Sequence, residues 1–284
     1  MNSTADIWSS AINHPALVEP IKQLLCQTGL ATEPEFPQPD KLMEVTTRWH
    51  DGNWHGPAFR GQSTFDDSES RYYEAIIFED RTVPTRESNW HDFFNALIWM
   101  QFPRTKTLLN QMHMDDIAVH GVHPRTPARN RITHFDECGV VIAVPECKQD
   151  EGRALLAELA VHKWTDVLLD KRESWGDVLH PFIFGHANLE MMLAPFIGLT
   201  GKWLAVSVPD DFATLSEQQQ CAAVDDALYC RFTNEDLFSQ KGHLHPLPLL
   251  GVPGWYSPQT PALYQNTDYF RPLNKQKTVG ELLP

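Results

Sequence analysis

Two helical patterns separated by a single proline constrain the fold of this chain more than any other feature. Residues 84–113 read PTRESNWHDFFNALIWMQFPRTKTLLNQMH. Ser88 or Asn89 can cap the first helix, and Asp92 suits its first turn because the helix dipole favours negative charge there. A proline cannot continue a helix, but it fits the first position of a new one. We therefore predict one helix that ends before Pro103 and a second helix that begins there and runs to about residue 113.

Hydrophobic periodicity and turn residues predict the remaining elements. Further helices are expected over residues 14–30, 150–169, 181–194 and 216–230. Strands are expected over residues 72–78, 131–135, 140–144 and 202–208. Asp136 and Gly139 are typical of a tight turn that would join the second and third of these strands in a hairpin. Because strands are few and dispersed among helices, we predict a single α+β domain over residues 1–284. Its helices would pack on a small, mostly antiparallel sheet, followed by an extended Pro-rich segment from Gly242.

The first candidate site is a polar trio on the helix before Pro103. His91 and Asn95 are four residues apart, and Asp92 lies between them, so all three share one side of the first turns. A neutral histidine beside a carboxylate can act as a general base or as a metal ligand. In that role Asp92 would orient His91, and Asn95 would donate a hydrogen bond. The alternative is structural, with Asp92 at the helix start, Asn95 bonded to a loop carbonyl and His91 half-buried.

The second candidate site is the pair His186 and Glu190 in the segment FGHANLEMM. A histidine and a carboxylate one helical turn apart can form an acid–base pair, or both can reach one divalent metal. Two ligands alone do not make a metal site, so a buried hydrogen-bonded pair is the alternative. The acidic neighbours Asp136 and Glu137 are interpreted as turn residues, and turn chemistry accounts for Asp136 without a role in a site.

Charge and cysteine content narrow the class of protein. The formal net charge of −14 disfavours binding to nucleic acid. No apolar run is long enough to span a membrane, and the first 20 residues lack the pattern of a signal peptide. The five cysteines are an odd number with no CxxC pair, which indicates reduced thiols and a cytoplasmic location. No feature specifies an oligomeric state.

Several segments of the chain resemble an uncharacterised bacterial family, the domain-of-unknown-function family 3025. These segments are VPTR with NWHDFFNALIW and FPRTKTLLN, RNRITHFDECG, FGHANLE, and PLPLLGVPGW with the later FRP. The resemblance implies no activity and assigns no site residues. It adds only that the candidate site residues lie in the segments that resemble the family.

Two functional hypotheses remain open. The first is a soluble enzyme of hydrolytic or acid–base type that acts on a small molecule between the His91 helix and the His186 helix. The alternative is a non-catalytic binding or scaffold protein that uses the Trp-rich loops near residues 49–55 and the Pro-rich C-terminal segment. If the side chains of His91 and His186 converge within about 8 Å on a concave pocket, the enzyme hypothesis is favoured, whereas side chains that point into separate cores would favour the binding protein.

Overall fold

The computed structural model describes residues 4–273, in which helices and strands alternate irregularly. The helices are α1 (Thr4–Ile12), α2 (Glu19–Thr28), α3 (Pro39–Trp49), α4 (Tyr73–Asp80), α5 (Trp90–Gln101), α6 (Pro103–His120), α7 (Pro127–Cys138), α8 (Gln149–Ala160), α9 (His186–Met192), α10 (Glu217–Asn234) and α11 (Pro261–Tyr264). The strands are β1 (Ala58–Gly61), β2 (Thr82–Thr85), β3 (Gly139–Pro145), β4 (His180–Ile183), β5 (Thr200–Val208) and β6 (His245–Pro248).

The larger of two sheets has the strand order β4-β3-β5-β6. Strand β3 pairs antiparallel with β4 and parallel with β5, and β5 pairs antiparallel with β6. Every residue of β3 is buried, which explains why its sequence, GVVIAVP, is apolar without alternation. The smaller sheet is the parallel pair of β1 and β2. The predicted α+β class is confirmed.

The two helices around Pro103 form as predicted. The side chain of Asn89, rather than Ser88, caps α5 by accepting a hydrogen bond from the backbone N–H of Asp92 at 3.0 Å. Helix α5 ends at Gln101, and Pro103 occupies the first position of α6. Helix α6 extends beyond the predicted end, to the residue before Gly121. The local sequence therefore determines where both helices begin.

Three other predicted elements are present with shifted ends. The first helix is confined to α2, and β5 covers the strand expected over residues 202–208. Helix α10 covers residues 216–230 almost entirely and continues to Asn234. Its cap is a reciprocal pair, in which Ser216 and Gln219 each accept a hydrogen bond from the other's backbone N–H.

The strand predicted over residues 72–78 is wrong, because this segment belongs to helix α4. Its tyrosines and isoleucines favour strands. In the fold, however, Ile76 and Ile77 are buried while Tyr73 and Phe78 are exposed. Helix α4 packs against α6, and this tertiary contact overrides the strand propensity.

The hairpin predicted around Asp136 is also wrong. Residues 131–135 are helical and belong to α7, whose start is fixed by Thr126 and Pro127. The Thr126 hydroxyl accepts a hydrogen bond from the backbone N–H of Arg129 at 3.1 Å, and Pro127 lies at the first helical position. Only the strand over residues 140–144 is present, as part of β3.

Two predicted helices are shorter than expected. Within residues 181–194, Pro181 lies in the edge strand β4, where the missing N–H is tolerated, and the helix begins only at His186. Within residues 150–169, α8 ends at Ala160. His162 then adopts a left-handed backbone with φ of 62°, and a short π-helical turn follows over Asp166–Asp170. Local breaks of this kind leave the hydrophobic periodicity almost unchanged.

The Pro-rich segment from Gly242 contributes to the core. It enters the larger sheet as β6, and four of its apolar side chains are fully buried: Leu247, Leu249, Leu250 and Val252. A connected cluster of buried hydrophobic residues runs from Trp8 to Phe270. Among residues 4–273, no helix is long and apolar enough to cross a membrane. Predictions that fall on residues 1–3 and 274–284 lie outside the described residues.

Candidate metal and acid–base site

The ends of three helices bring two histidines and one glutamate together. His91 is the second residue of α5, Glu137 is the last but one of α7, and His186 is the first of α9. Helix α9 packs against both α5 and α7. The site therefore depends on the relative positions of helix ends that are far apart in the sequence.

Gly185 allows α9 to begin directly on the end of α7. A Cβ atom at this position would lie 2.5 Å from the backbone oxygen of Glu137 and 2.5 Å from the backbone nitrogen of Gly139. Backbone atoms cannot move aside as a flexible side chain can, so a residue larger than glycine would push α9 away. This close approach places His186 next to Glu137.

Three polar atoms converge at the centre of the site. The Nε2 atoms of His91 and His186 are 3.1 Å apart. The Oε2 atom of Glu137 lies 3.4 Å from Nε2 of His186 and 3.8 Å from Nε2 of His91. One ligand atom from each of the three residues thus lies within 4.8 Å of the other two. Two imidazoles and a carboxylate at such separations can bind one divalent metal ion.

A hydrogen bond on the outer side of the His91 ring favours a free lone pair at the centre. Nδ1 of His91 lies 2.9 Å from Oε2 of Glu190, and because a carboxylate accepts, Nδ1 carries the proton. The Nε2 atom of neutral His91 is then a lone-pair donor. The His186 ring is hydrogen-bonded to His91 through the two Nε2 atoms, and its Nδ1 is buried without a hydrogen-bond partner among the described residues. An outer carboxylate that fixes a ligating histidine is typical of metal sites.

Burial controls the protonation of the site. It lowers the pKa of His186 to about 3, so this ring is neutral at neutral pH and can act as a ligand. Burial also raises the pKa of the Glu137 carboxyl, an effect that positive charge on His91 opposes. His91, Glu137 and Glu190 are partly exposed, at 29%, 34% and 42% of their side chains. Solvent can therefore reach these three side chains.

The structure separates the predicted trio of His91, Asp92 and Asn95. Asp92 accepts hydrogen bonds from the backbone and the guanidinium of Arg86, at 2.6 to 3.0 Å. The expectation that Asp92 orients His91 is therefore wrong, because Glu190 is the carboxylate bonded to that ring. Asn95 donates to the Tyr73 hydroxyl at 2.9 Å. Asp92 thus fixes the loop before α5, and Asn95 ties α5 to α4.

A buried cation supports the site from behind. The Nζ atom of Lys106 lies 2.5 Å from Oδ1 of Asp136 and 3.0 Å from Oδ1 of Asn95. The lysine side chain is only 5% exposed. Burial alone would raise the pKa of the Asp136 carboxyl, but the charge and hydrogen bond of Lys106 lower it below its usual value. Because Asp136 precedes Glu137, this ion pair holds the end of α7 against α5 and α6.

Three of the four residues in this cluster are candidates from the sequence: His91, His186 and Glu190. The Nε2 atoms of the two histidines lie 3.1 Å apart, which meets the distance part of the expectation. Glu137 was interpreted only as a turn residue. The Thr126–Pro127 helix start was the signal that could have corrected this interpretation, because it makes residues 127–138 a helix rather than a hairpin.

A known protein family matches the part of the chain that contains these residues. A family model described as "Protein of unknown function (DUF3025)" matches residues 58–274, which is more than half of the chain. The chain belongs to this family. The match includes His91, Glu137, His186 and Glu190. No curated protein and no solved structure matches the chain. This family description assigns no activity.

Proposed function

We propose that this DUF3025 protein is a metal-dependent enzyme of hydrolytic or acid–base type. His91, His186 and Glu137 would hold one divalent ion, and Zn²⁺ fits best because it favours imidazole and carboxylate ligands. The observation that carries the proposal is the convergence of the two Nε2 atoms and Oε2 of Glu137. Three protein ligands leave a coordination position open, as in catalytic rather than structural zinc sites.

Each side chain has a defined task in this proposal. His186 supplies a neutral, buried nitrogen, and His91 supplies a nitrogen whose direction is fixed by Glu190. Glu190 also holds a proton at Nδ1 of His91 and lies at the exposed side of the site, where it can exchange protons with a bound molecule. A divalent ion supplies Lewis acidity and lowers the pKa of water in its coordination shell. A small molecule with an ester, amide or phosphate group is the substrate class that this chemistry serves.

The alternative of a binding or scaffold protein has less support. It relied on the Pro-rich C-terminal segment and the Trp-rich loops as a partner surface. Leu247, Leu249 and Leu250 of that segment are fully buried and Trp49 is 9% exposed, whereas Trp54 is half-buried. Side chains in the core are not accessible to a partner.

We further propose a cytoplasmic location, because five unpaired thiols suit a reducing compartment. We also propose that the protein has no nucleic-acid partner, because the chain is strongly acidic.

Hydrolysis assays with chromogenic substrates test the proposal. We expect protein loaded with Zn²⁺ to hydrolyse p-nitrophenyl acetate, p-nitrophenyl phosphate or bis-p-nitrophenyl phosphate, and to lose this activity with a chelator. Glu137→Gln keeps the shape of the side chain but removes a charged ligand, so activity should fall at least about 100-fold. His134→Gln is the matched control, because His134 is exposed on the same helix, α7. Equal activity in the two variants would contradict the proposed site.

A further inference from the structure

A cavity lies on the part of the fold formed by α8, β5, α10 and residues 240–245. Its volume is about 430 Å³, within the range of small-molecule sites in proteins. Leu156, Ala157 and Trp203 supply apolar surface. The ring of His245 stacks on Trp203 with ring centres 4.7 Å apart, which gives the cavity a flat aromatic wall. It shares no lining residue with the proposed metal site.

The charge of this cavity is opposite to that of the whole chain. Arg153, Arg231, Lys241 and His243 line it, and no aspartate or glutamate does so among its described lining residues. The chain as a whole carries a formal net charge of −14. A local cluster of cations in a concave, partly apolar surface concentrates anions. The cavity is therefore suited to a ligand that is apolar at one end and negatively charged at the other.

Existing ion pairs leave part of this positive charge available. Arg153 pairs with Asp150 at 2.5 Å, and Arg231 pairs with Glu235 at 3.1 Å. Lys241 makes no salt bridge within residues 4–273, so its charge is not neutralised by a carboxylate in that part of the chain. Burial, and to a smaller extent positive charge at His162, His243, Lys202 and Arg231, together lower the pKa of His245 to about 4.

We propose that this cavity binds a small amphipathic carboxylate. The apolar part of the ligand would lie against Leu156, Ala157 and Trp203. The carboxylate would pair with Lys241 and with the exposed side of the Arg153 guanidinium, where charge-assisted hydrogen bonds form. Because the lining residues are distinct from His91, Glu137 and His186, this binding does not depend on the proposed metal chemistry.

Calorimetry with octanoate tests this proposal directly. We expect octanoate to bind the full-length protein, and octylamine, which has the same tail with a positive head group, to bind at least about 10-fold more weakly. Lys241→Gln should weaken octanoate binding about 3- to 10-fold. Lys22→Gln, an exposed lysine on α2 outside the cavity, should leave it unchanged.

A cavity-filling variant tests the apolar part of the ligand site separately from its charged part. Ala157→Phe places a ring in the apolar part of the cavity and should reduce octanoate affinity at least about 10-fold, with folding checked by circular dichroism. Lys241→Gln keeps the test informative if Ala157→Phe does not fold. Absence of octanoate binding at millimolar concentration would overturn the proposal. Equal binding of octylamine, or equal affinity in the Lys241→Gln and Lys22→Gln variants, would overturn it as well.

Discussion

Lys106→Met removes the buried cation behind the site while keeping an unbranched side chain of similar length. Lys106 is 5% exposed and Asp136 is 19% exposed, so water cannot fully replace the lost partner. Removal of one member of a buried ion pair costs about 3–5 kcal/mol, because the other charge stays buried without compensation. The partial exposure of Asp136 places the expected loss near the lower end, at about 3 kcal/mol. For a chain of this size, that loss lowers the melting temperature by roughly 6–12 °C.

A double-mutant cycle identifies the cause of this loss. Asp136→Asn removes the carboxylate charge, and the double variant removes both charges. If the ion pair is responsible, the double variant should be more stable than the sum of the two single losses predicts, by about 1–3 kcal/mol. Urea denaturation followed by tryptophan fluorescence measures these free energies of unfolding. Lys22→Met, on an exposed position of α2, is the control and should change stability by less than about 0.5 kcal/mol. Additive losses, or a loss below about 1 kcal/mol for Lys106→Met, would refute the role of Lys106 as a buried counter-charge.

Four further variants test other parts of the structure. Trp90→Ala should lose about 3–5 kcal/mol of stability, because Trp90 packs on the rings of Trp8 and Phe93. His91→Ala should lose no more than about 1 kcal/mol, because the His91 side chain is partly exposed. Equal melting temperatures for the two variants would contradict this difference. Gly185→Ala should lower the free energy of unfolding by about 1–3 kcal/mol and weaken Zn²⁺ binding, because the added Cβ meets the backbone of α7. A wild-type Zn²⁺ affinity in calorimetry would contradict this close approach of Gly185 to α7. Burial raises the pKa of Glu74 from 4.5 to about 7, so the folded state keeps a proton that the unfolded state loses, and stability falls as pH rises between these values. Glu74→Gln abolishes that loss. In urea titrations, the stability of this variant relative to the wild type should increase by on the order of 1–2 kcal/mol between pH 4.5 and pH 8. If the stabilities of variant and wild type change in parallel with pH, Glu74 is not responsible.

Elements with strong local signals could be predicted from the sequence. The break at Pro103 depends on the chemistry of a single residue, and the structure confirms it. The buried strand over residues 140–144 is a short apolar run beside a glycine, and it was found for the same reason.

Errors arose where tertiary contacts decide the local structure. Tyr73 and Ile76 favour a strand by propensity, yet packing against α6 makes their segment a helix. Pro181 was taken for the start of a helix, although it lies at the edge of a sheet that only the pairing with β3 defines. Neither outcome can be derived from a local pattern, because the deciding partner is distant in the sequence.

The candidate site also combines features that the local sequence indicates with features that depend on tertiary packing. His91 and His186 were identified as residue types that carry chemistry, but 95 positions separate them in the chain. Their contact, and the addition of Glu137, depend on the packing of α9 against α5 and α7. The sequence could therefore indicate candidate residues but not the set that they form.

Zinc binding by calorimetry tests the central claim most directly. Protein first stripped of metal with a chelator should bind about one Zn²⁺ per chain with a submicromolar dissociation constant, and binding should release protons if the ligands are partly protonated. Glu137→Gln and His186→Gln should each lose most of this affinity, and Glu190→Gln should lose about 10- to 100-fold through its effect on His91. The exposed His134→Gln variant should bind as the wild type does. No binding by the wild type at micromolar Zn²⁺, or equal affinity in the Glu137→Gln and His134→Gln variants, would contradict a metal centre at this site.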